Sequence, residues 1–530
     1  MSKSTFYSVL LIMVSSCTKV LHKEDISIGR IEDPEQLQSA VTGVYGRMNE
    51  MLYSNHSVAG SFYYTPNIKG DDMNYGPAEY SPYYDWSDNC YNIPTDNNNV
   101  LDPNWQKLYN TIGSANNILI QYDLSSVKDA ATRELLGEIC MIRAYCYFRL
   151  TRTFGQVPLI SDININYSVT KASFTEIYSF IEKDLKTAIA LLPENNNVAR
   201  VPYVTPNRGS AKALLAEVYL SWAGYPIKDE SKYALAAKEA GEVVDSADFF
   251  GFRLMDDFAW LWDKTHLQNS ESEFSLYCTN PTPDPQHWWI WHGFYYGEPF
   301  AEFMIAPGTT ASPFFYVPEV QFFNNYPEEY RKEITFFQTI FISHYNYDST
   351  GTLISADSEY VHISQEDPCG RVAYRKFYYD PDTPQYNDWA GETYFMGIPR
   401  VYLLRYAQTV LTCAEAMARS GQLNARAYEC VNEIRRRAHH VDLYSPSGYD
   451  LQPGLSPEAF ADSVVWERAR ELCGEPEGRW FDLVRLEEVE DLPNLRIQDE
   501  TGPPAYPITK EDYFSPIPPG EIDFNPNLGK

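Results

Sequence analysis

Helical periodicity in this chain runs in two blocks, residues 105–245 and 399–473, and the aromatic, irregular stretch between them belongs to neither. That division constrains the fold more than any single motif. In the first block Trp105, Leu108, Tyr109, Ile112, Ala115 and Leu119 recur at three- and four-residue steps, which sets them on one helical face. The run from Leu135 to Leu150 predicts the strongest helix of the N-terminal half, and Gly155 with Pro158 ends it. Further helices are expected near 173–192, 207–224 and 231–245. Ser173 caps the first of these, with Glu176 at its third position. Ahead of the block, Leu37, Val41, Val44, Met48 and Leu52 mark a helix over 34–53. The second block predicts helices at 399–419 and 423–439, separated by Gly421, then at about 457–473, followed by the segment Arg479–Arg485. The tail around Ile517–Ile522 shows no helical tendency.

Helix pairs of this length carry small residues such as Ala211, Ala216, Ala414 and Ala418. They suggest tetratricopeptide-like stacking, although the repeat signature is weak and interrupted. The expected fold is therefore mostly α: a helical-repeat scaffold with long irregular loop insertions and a few short strands, near 272–278 and 371–379. Residues 34–530 read as one domain. Its variable loops, 54–101 and 250–395, are rich in Tyr, Asn, Pro and Gly. Loops on a rigid support are free to carry function.

A net charge of -30 disfavours nucleic acid, whose phosphates would be repelled. It leaves neutral or cationic ligands unpenalised. Arg143, Arg405, Arg437, Arg470 and Arg485 fall in otherwise apolar helical contexts. Each needs a carboxylate or carbonyl partner there, and Glu138, Glu415, Glu467 and Asp482 are available. These positions read as scaffold, as does Arg479. Of the nine cysteines, the eight after Cys17 are spread without a CxxC pair. They permit disulfides in an exported chain without demanding them.

Function points to the aromatic loops, since the chain holds 11 Trp, 41 Tyr and 27 Phe. Aromatic faces stack on the apolar faces of sugar rings, while nearby amides and carboxylates satisfy hydroxyl groups. Tyr83, Tyr84, Trp86 and Asn89 form one such mixture, and Asp71 and Asp72 just before them could accept hydroxyls. A second cluster contains Trp288, Trp289, Trp291 and Tyr296. In a strand, Trp289 and Trp291 would share one side and Trp288 the other; half of these rings could equally serve as core beneath the loops. No HExxH, GxSxG or Walker loop is present. No cofactor is expected. Calcium could bind near Asp96–Asn99, but no EF-hand spacing marks a site.

The first residues carry a separate signal. A short apolar run after Lys3 ends in Val14-Ser15-Ser16-Cys17, too short to span a membrane. It resembles a bacterial lipoprotein signal. Residues 1–16 would be removed, Cys17 would be lipidated, and 17–33 would tether the body to the membrane.

The order of motifs resembles the SusD/RagB family of outer-membrane nutrient-binding lipoproteins over nearly the whole length. Trp105–Ile112 with Ala115-Asn116-Asn117 is similar to an early family motif. Gly137-Glu138, Arg143-Ala144-Tyr145 and Phe154–Leu159 match the most recognisable one, and Leu185–Pro193 and Arg208–Ala216 extend it. The second half supplies Leu404–Ala407, Ala414–Ala416, Val431–Ala438, Glu467–Leu472, Gly478–Arg485, Pro516–Pro518 and Asn525-Pro526. Cys473 and Pro476 depart from the usual pattern. The resemblance implies a tetratricopeptide-based scaffold at the outer membrane, anchored by lipid and facing the exterior. It implies a SusC-type TonB-dependent transporter as partner and capture of oligosaccharides without catalysis. A peptide receptor, a transporter lid with little affinity of its own, and a glycoside hydrolase are the alternatives.

Overall fold

A computed structural model describes residues 29–52, 67–74, 98–163, 166, 168–277, 317–337, 339–347, 353–362, 373–376, 385–387, 392–394, 400–496 and 508–529. The fold is predominantly α-helical with some strand. The first helices are α1 (Pro34–Asn49), α2 (Asn98–Leu119), α3 (Ala130–Phe154), α4 (Phe174–Leu191), α5 (Arg208–Ala223) and α6 (Ser231–Asp245). Their ends follow from local chemistry. Ser173 and Glu176 form the expected capping box on α4, and Asn207 caps α5. Asp33 caps α1 with Pro34 in its first turn. Gly155 ends α3 at φ 75°, where its amide donates to the Thr151 carbonyl at 3.0 Å.

Through these helices each packs on the next: α1 on α2, α2 on α3, and so on to α6. The second block joins directly. After a four-residue helix, α7 (Ala247–Phe250), come α8 (Val320–Asn325), α9 (Tyr330–Thr335), α10 (Tyr406–Arg419), α11 (Ala425–Ala438), α12 (Pro457–Glu471) and α13 (Arg479–Leu486). Helix α10 packs on α6, α11 and α12. One apolar core thus runs from Leu37 to Leu528. The halves are also tied through backbone: the Tyr225 amide donates to the Arg485 carbonyl at 2.9 Å. A Cβ at Gly224 would stand 2.4 Å from that carbonyl oxygen, so only glycine fits. Cys140, Cys146, Cys413, Cys430 and Cys473 are buried free thiols.

Several boundaries differ from the sequence reading. Helix α2 starts at Asn98, inside the expected loop, because its first residues, Asn98-Asn99-Val100-Leu101-Asp102-Pro103, hold a single apolar pair and no repeating period to detect. Residues 400–405 are not helix. They form strand β10 (Arg400–Arg405), antiparallel to β2 (Ser272–Tyr277). Val401, Tyr402, Leu403 and Leu404 are all buried, and a continuous buried run has no period that separates strand from helix. The strands between are β3 (Val317–Pro318), β4 (Phe336–Phe337), β5 (Thr339–Tyr347), β6 (Leu353–His362), β7 (Ala373–Tyr374), β8 (Gln385–Asn387) and β9 (Glu392–Tyr394). The hairpin β5–β6 is longer than the short fragments expected there. The tail turns once as α14 (Leu492–Leu495) and again as α15 (Pro519–Phe524), where proline occupies the first helical turn.

The arginines expected to be scaffold are indeed paired. Arg485 makes two 2.7 Å bonds to Glu415 and one of 2.9 Å to Asp482. Arg405 and Arg437 share Glu271 and Glu471, and Arg405 also holds Glu475. Arg470 lies 3.7 Å from Glu467. Arg143 also has its carboxylate, but it is Asp184 at 2.7 Å rather than one of the four acids named above; Glu138 takes Arg200. Burial raises the Glu471 carboxyl, but Arg437, Arg405 and Arg331 outweigh it and hold it well below the usual range. Such buried lattices are costly to break, because each deletion strands a charge.

Candidate functional site

The scaffold presents one place where the roots of separate loops meet. Residues Asn67–Lys69 form a 3-10 turn closed by the Gly70 amide donating to the Asn67 carbonyl at 2.8 Å. The Asn67 side chain donates to the Glu475 and Pro476 carbonyls at 3.0 and 2.9 Å. Arg496 donates to the Gly70 carbonyl at 2.6 Å. The turn is therefore fixed onto the C-terminal motif. It leads into strand β1 (Met73–Asn74), which pairs antiparallel with β3: Met73 opposite Pro318, Asn74 opposite Val317. The Glu319 amide and the Tyr374 hydroxyl both donate to the Asp72 carbonyl, at 3.1 and 2.9 Å.

Two buried carboxylates sit at this junction. Asp71 accepts from Arg479 Nε at 3.0 Å. Among the described residues Asp72 has no arginine within bonding range and its Oδ1 has no hydrogen-bond partner, while its Oδ2 accepts from the Gly474 amide at 3.2 Å. Burial, and then the neighbouring Asp71 charge, push the Asp72 carboxyl up to about 7, against the Gly474 hydrogen bond and Arg479.

Beside Asp71 lies a cavity of about 300 Å³. Helix geometry explains its walls. Gln321 and Asn325 stand one turn apart on α8, as do Trp466 and Arg470 on α12. Phe322, Tyr326 and Leu495 complete the apolar lining. The polar groups are held in place: Gln321 donates to the Asn494 carbonyl at 3.0 Å and Tyr326 to the Arg470 carbonyl at 3.0 Å. The Arg479 guanidinium lies 4.7 Å from the Trp466 ring centre, while Trp466 keeps 37% of its surface exposed.

The structure thus brings Asp71 and Asp72 to one buried junction, and Asp71 alone of the two lines the cavity. Tyr83, Tyr84, Trp86, Asn89, Trp288, Trp289, Trp291, Tyr296 and the lipidation candidate Cys17 lie outside the described residues. Sequence reading passed over Trp466 because it sits inside a helix counted as scaffold. Its signal is a large aromatic one turn from both Asp462 and Arg470, on a helical face that carries charge. Among the described residues no group of three or more His, Cys, Asp or Glu side chains is placed to hold a metal.

Comparison with known proteins follows the same division of the chain. Residues 22–220 match the family model "Starch-binding associating with outer membrane", and residues 322–530 match the SusD family model. The SusD-like protein P2 of Formosa agariphila is 24% identical over 99% of this chain and 98% of its own length. A SusD homolog from Bacteroides thetaiotaomicron superposes with a TM-score of 0.72 at 22% identity, covering 95% of this chain and 97% of the other. Surface glycan-binding protein A from Bacteroides fluxus gives 0.68 at 21% identity, covering 93% and 97%.

Proposed function

We propose that this chain, which belongs to the SusD/RagB family, captures oligosaccharides at the cell surface and delivers them to a SusC-type TonB-dependent transporter. Members of the family are non-catalytic binding proteins of the outer membrane, and this chain is a binding protein rather than an enzyme. The finer assignments extend that membership. Residues 1–16 act as a lipoprotein signal, Cys17 carries lipid, 17–33 form the tether and 34–530 a single domain. The neighbour-to-neighbour packing of α1 to α6 supports a tetratricopeptide-like scaffold.

The observation that carries the reading is the β1–β3 ladder. The two segments nominated by their aromatic content, 75–97 and 278–316, are the ones that adjoin Asn74 and Val317, and these residues are hydrogen-bonded neighbours. Rings contributed from both segments therefore start from one point of the scaffold. We assign Tyr83, Tyr84, Trp86, Asn89, Trp288, Trp289, Trp291 and Tyr296 to ligand contact on that ground, with Asp71 and Asp72 holding the junction that the two segments adjoin. The glycan-binding relative from Bacteroides fluxus has the same fold, which supports a carbohydrate ligand.

Calorimetry of the purified chain against oligosaccharides of starch, β-glucan, xylan and mannan tests this. Binding of one class without turnover is expected. Binding of peptides in place of every glycan, or hydrolysis of a glycan, would overturn it.

A further inference from the structure

The cavity beside Asp71 has the makeup of a site for a single neutral sugar ring. Its volume, about 300 Å³, is at the lower end of the range for small-molecule sites, roughly 300–1,000 Å³. It suits one ring rather than a chain of them. Arg479 approaches the Trp466 indole from within the scaffold. Trp466 lines the cavity and stays partly exposed, so its indole can offer a flat apolar platform.

The polar groups suit hydroxyls. Among the described residues the Asn325 side chain makes no hydrogen bond, so its carbonyl and amide are both available. The Gln321 amide nitrogen is committed to the Asn494 carbonyl, which fixes the side chain in place. Charges in the wall are already balanced: Asp71 by Arg479 at 3.0 Å and Arg470 by Glu467 at 3.7 Å. Among the described residues an ionic ligand would find no unmatched partner there, whereas a neutral polyol meets fixed donors and acceptors beside an aromatic face.

We propose that Trp466, Asn325 and Arg470 form a monosaccharide subsite, separate from the aromatic loops. Trp466 stacks on the ring, and Asn325 and Arg470 bond its hydroxyls. The proposal rests on the carbohydrate reading above and deepens it: helix α8 begins two residues after β3, so this ring would sit at the root of both loop segments.

The test is saturation-transfer NMR of the purified chain with free D-glucose, D-galactose, D-mannose and D-xylose. Wild type is compared with Trp466→Ala, Asn325→Ala and a loop variant carrying Trp86→Ala with Trp288, Trp289 and Trp291 each replaced by Ala. One of the free sugars is expected to bind wild type and the loop variant alike, and to lose about tenfold in affinity in both Trp466→Ala and Asn325→Ala. Asn325 is exposed and makes no side-chain hydrogen bond among the described residues, so its variant keeps the fold even if Trp466→Ala does not. Equal binding in wild type and Asn325→Ala, or loss confined to the loop variant, overturns the subsite. Oligosaccharide binding without any monosaccharide binding overturns the subsite and leaves the carbohydrate function standing. Absence of both overturns the two together.

Discussion

Asn74 and Val317, from opposite halves of the chain, are cross-strand neighbours in the β1–β3 ladder. This single pairing gives the two aromatic-rich segments a common base. The base itself is rigid: Asp71 is tied to Arg479, the Asp72 carbonyl to Glu319 and Tyr374, and the Gly70 carbonyl to Arg496.

The arginine lattice predicts a stability effect. Arg485→Ala strands Glu415, which burial raises but which Arg485 and Arg419 pull down to about 2. Removing one partner of a buried pair costs about 3–5 kcal/mol. Chemical denaturation should show the midpoint falling by a corresponding amount. Arg479→Ala should behave similarly through Asp71. Unchanged midpoints with lost ligand binding would move these arginines from scaffold to site.

Asp72 predicts a dependence on pH of opposite sign to that of Glu415. Its folded carboxyl ionises near 7, above the ordinary carboxylate range, so between about pH 4 and 7 the folded chain holds a proton that the unfolded chain has released. Its contribution to stability therefore falls as pH rises through that window. Glu415 is depressed, so its contribution is lost as pH falls from the ordinary carboxylate range toward 2. Asp72→Asn keeps an oxygen for the Gly474 amide and removes the titration. The variant should melt a few degrees above wild type at pH 8, with the difference shrinking steadily as the pH is lowered toward 4. A constant difference across pH would contradict the assignment.

Gly224 predicts a steric effect. Alanine there meets the Arg485 carbonyl, and forcing extra atoms into a packed contact costs about 1–3 kcal/mol. Gly224→Ala should lower the melting temperature, whereas Gly421→Ala, whose Cβ would meet nothing within 4 Å, should show only the strain of its positive φ of 74°. A smaller loss at Gly224 than at Gly421 would contradict the close approach.

The anchor predicts a localisation effect. Cys17→Ala should leave the fold and ligand binding intact while releasing the chain from membranes when its transporter is absent. Retention measured by cell fractionation under those conditions would place the anchor elsewhere.

Much of the helical scaffold was legible because its segments carry apolar periods and caps. Ser173 with Glu176, and the paired arginines, could be read directly. Strand β10 was not, since Val401–Leu404 are buried on both faces and show no alternation. Arg143 could be seen to need a carboxylate, but choosing Asp184 over Glu138 depends on how α3 packs against α4. The site was less legible still. Asp71 and Asp72 stand out in the sequence by their position before the aromatic loop, yet their burial against Arg479 and Gly474 arises from contacts across the whole chain. Trp466 was hidden inside a structural motif.

The proposal that both aromatic segments serve one oligosaccharide site can be tested at their tryptophans. Calorimetric titration of wild type, Trp86→Ala, Trp289→Ala and the double variant, with the best-binding oligosaccharide, measures this directly. Each single change should weaken binding by about tenfold, and the pair should fall short of the sum, as coupled neighbours do. Full affinity in both singly substituted proteins, with melting temperatures unchanged, would contradict it.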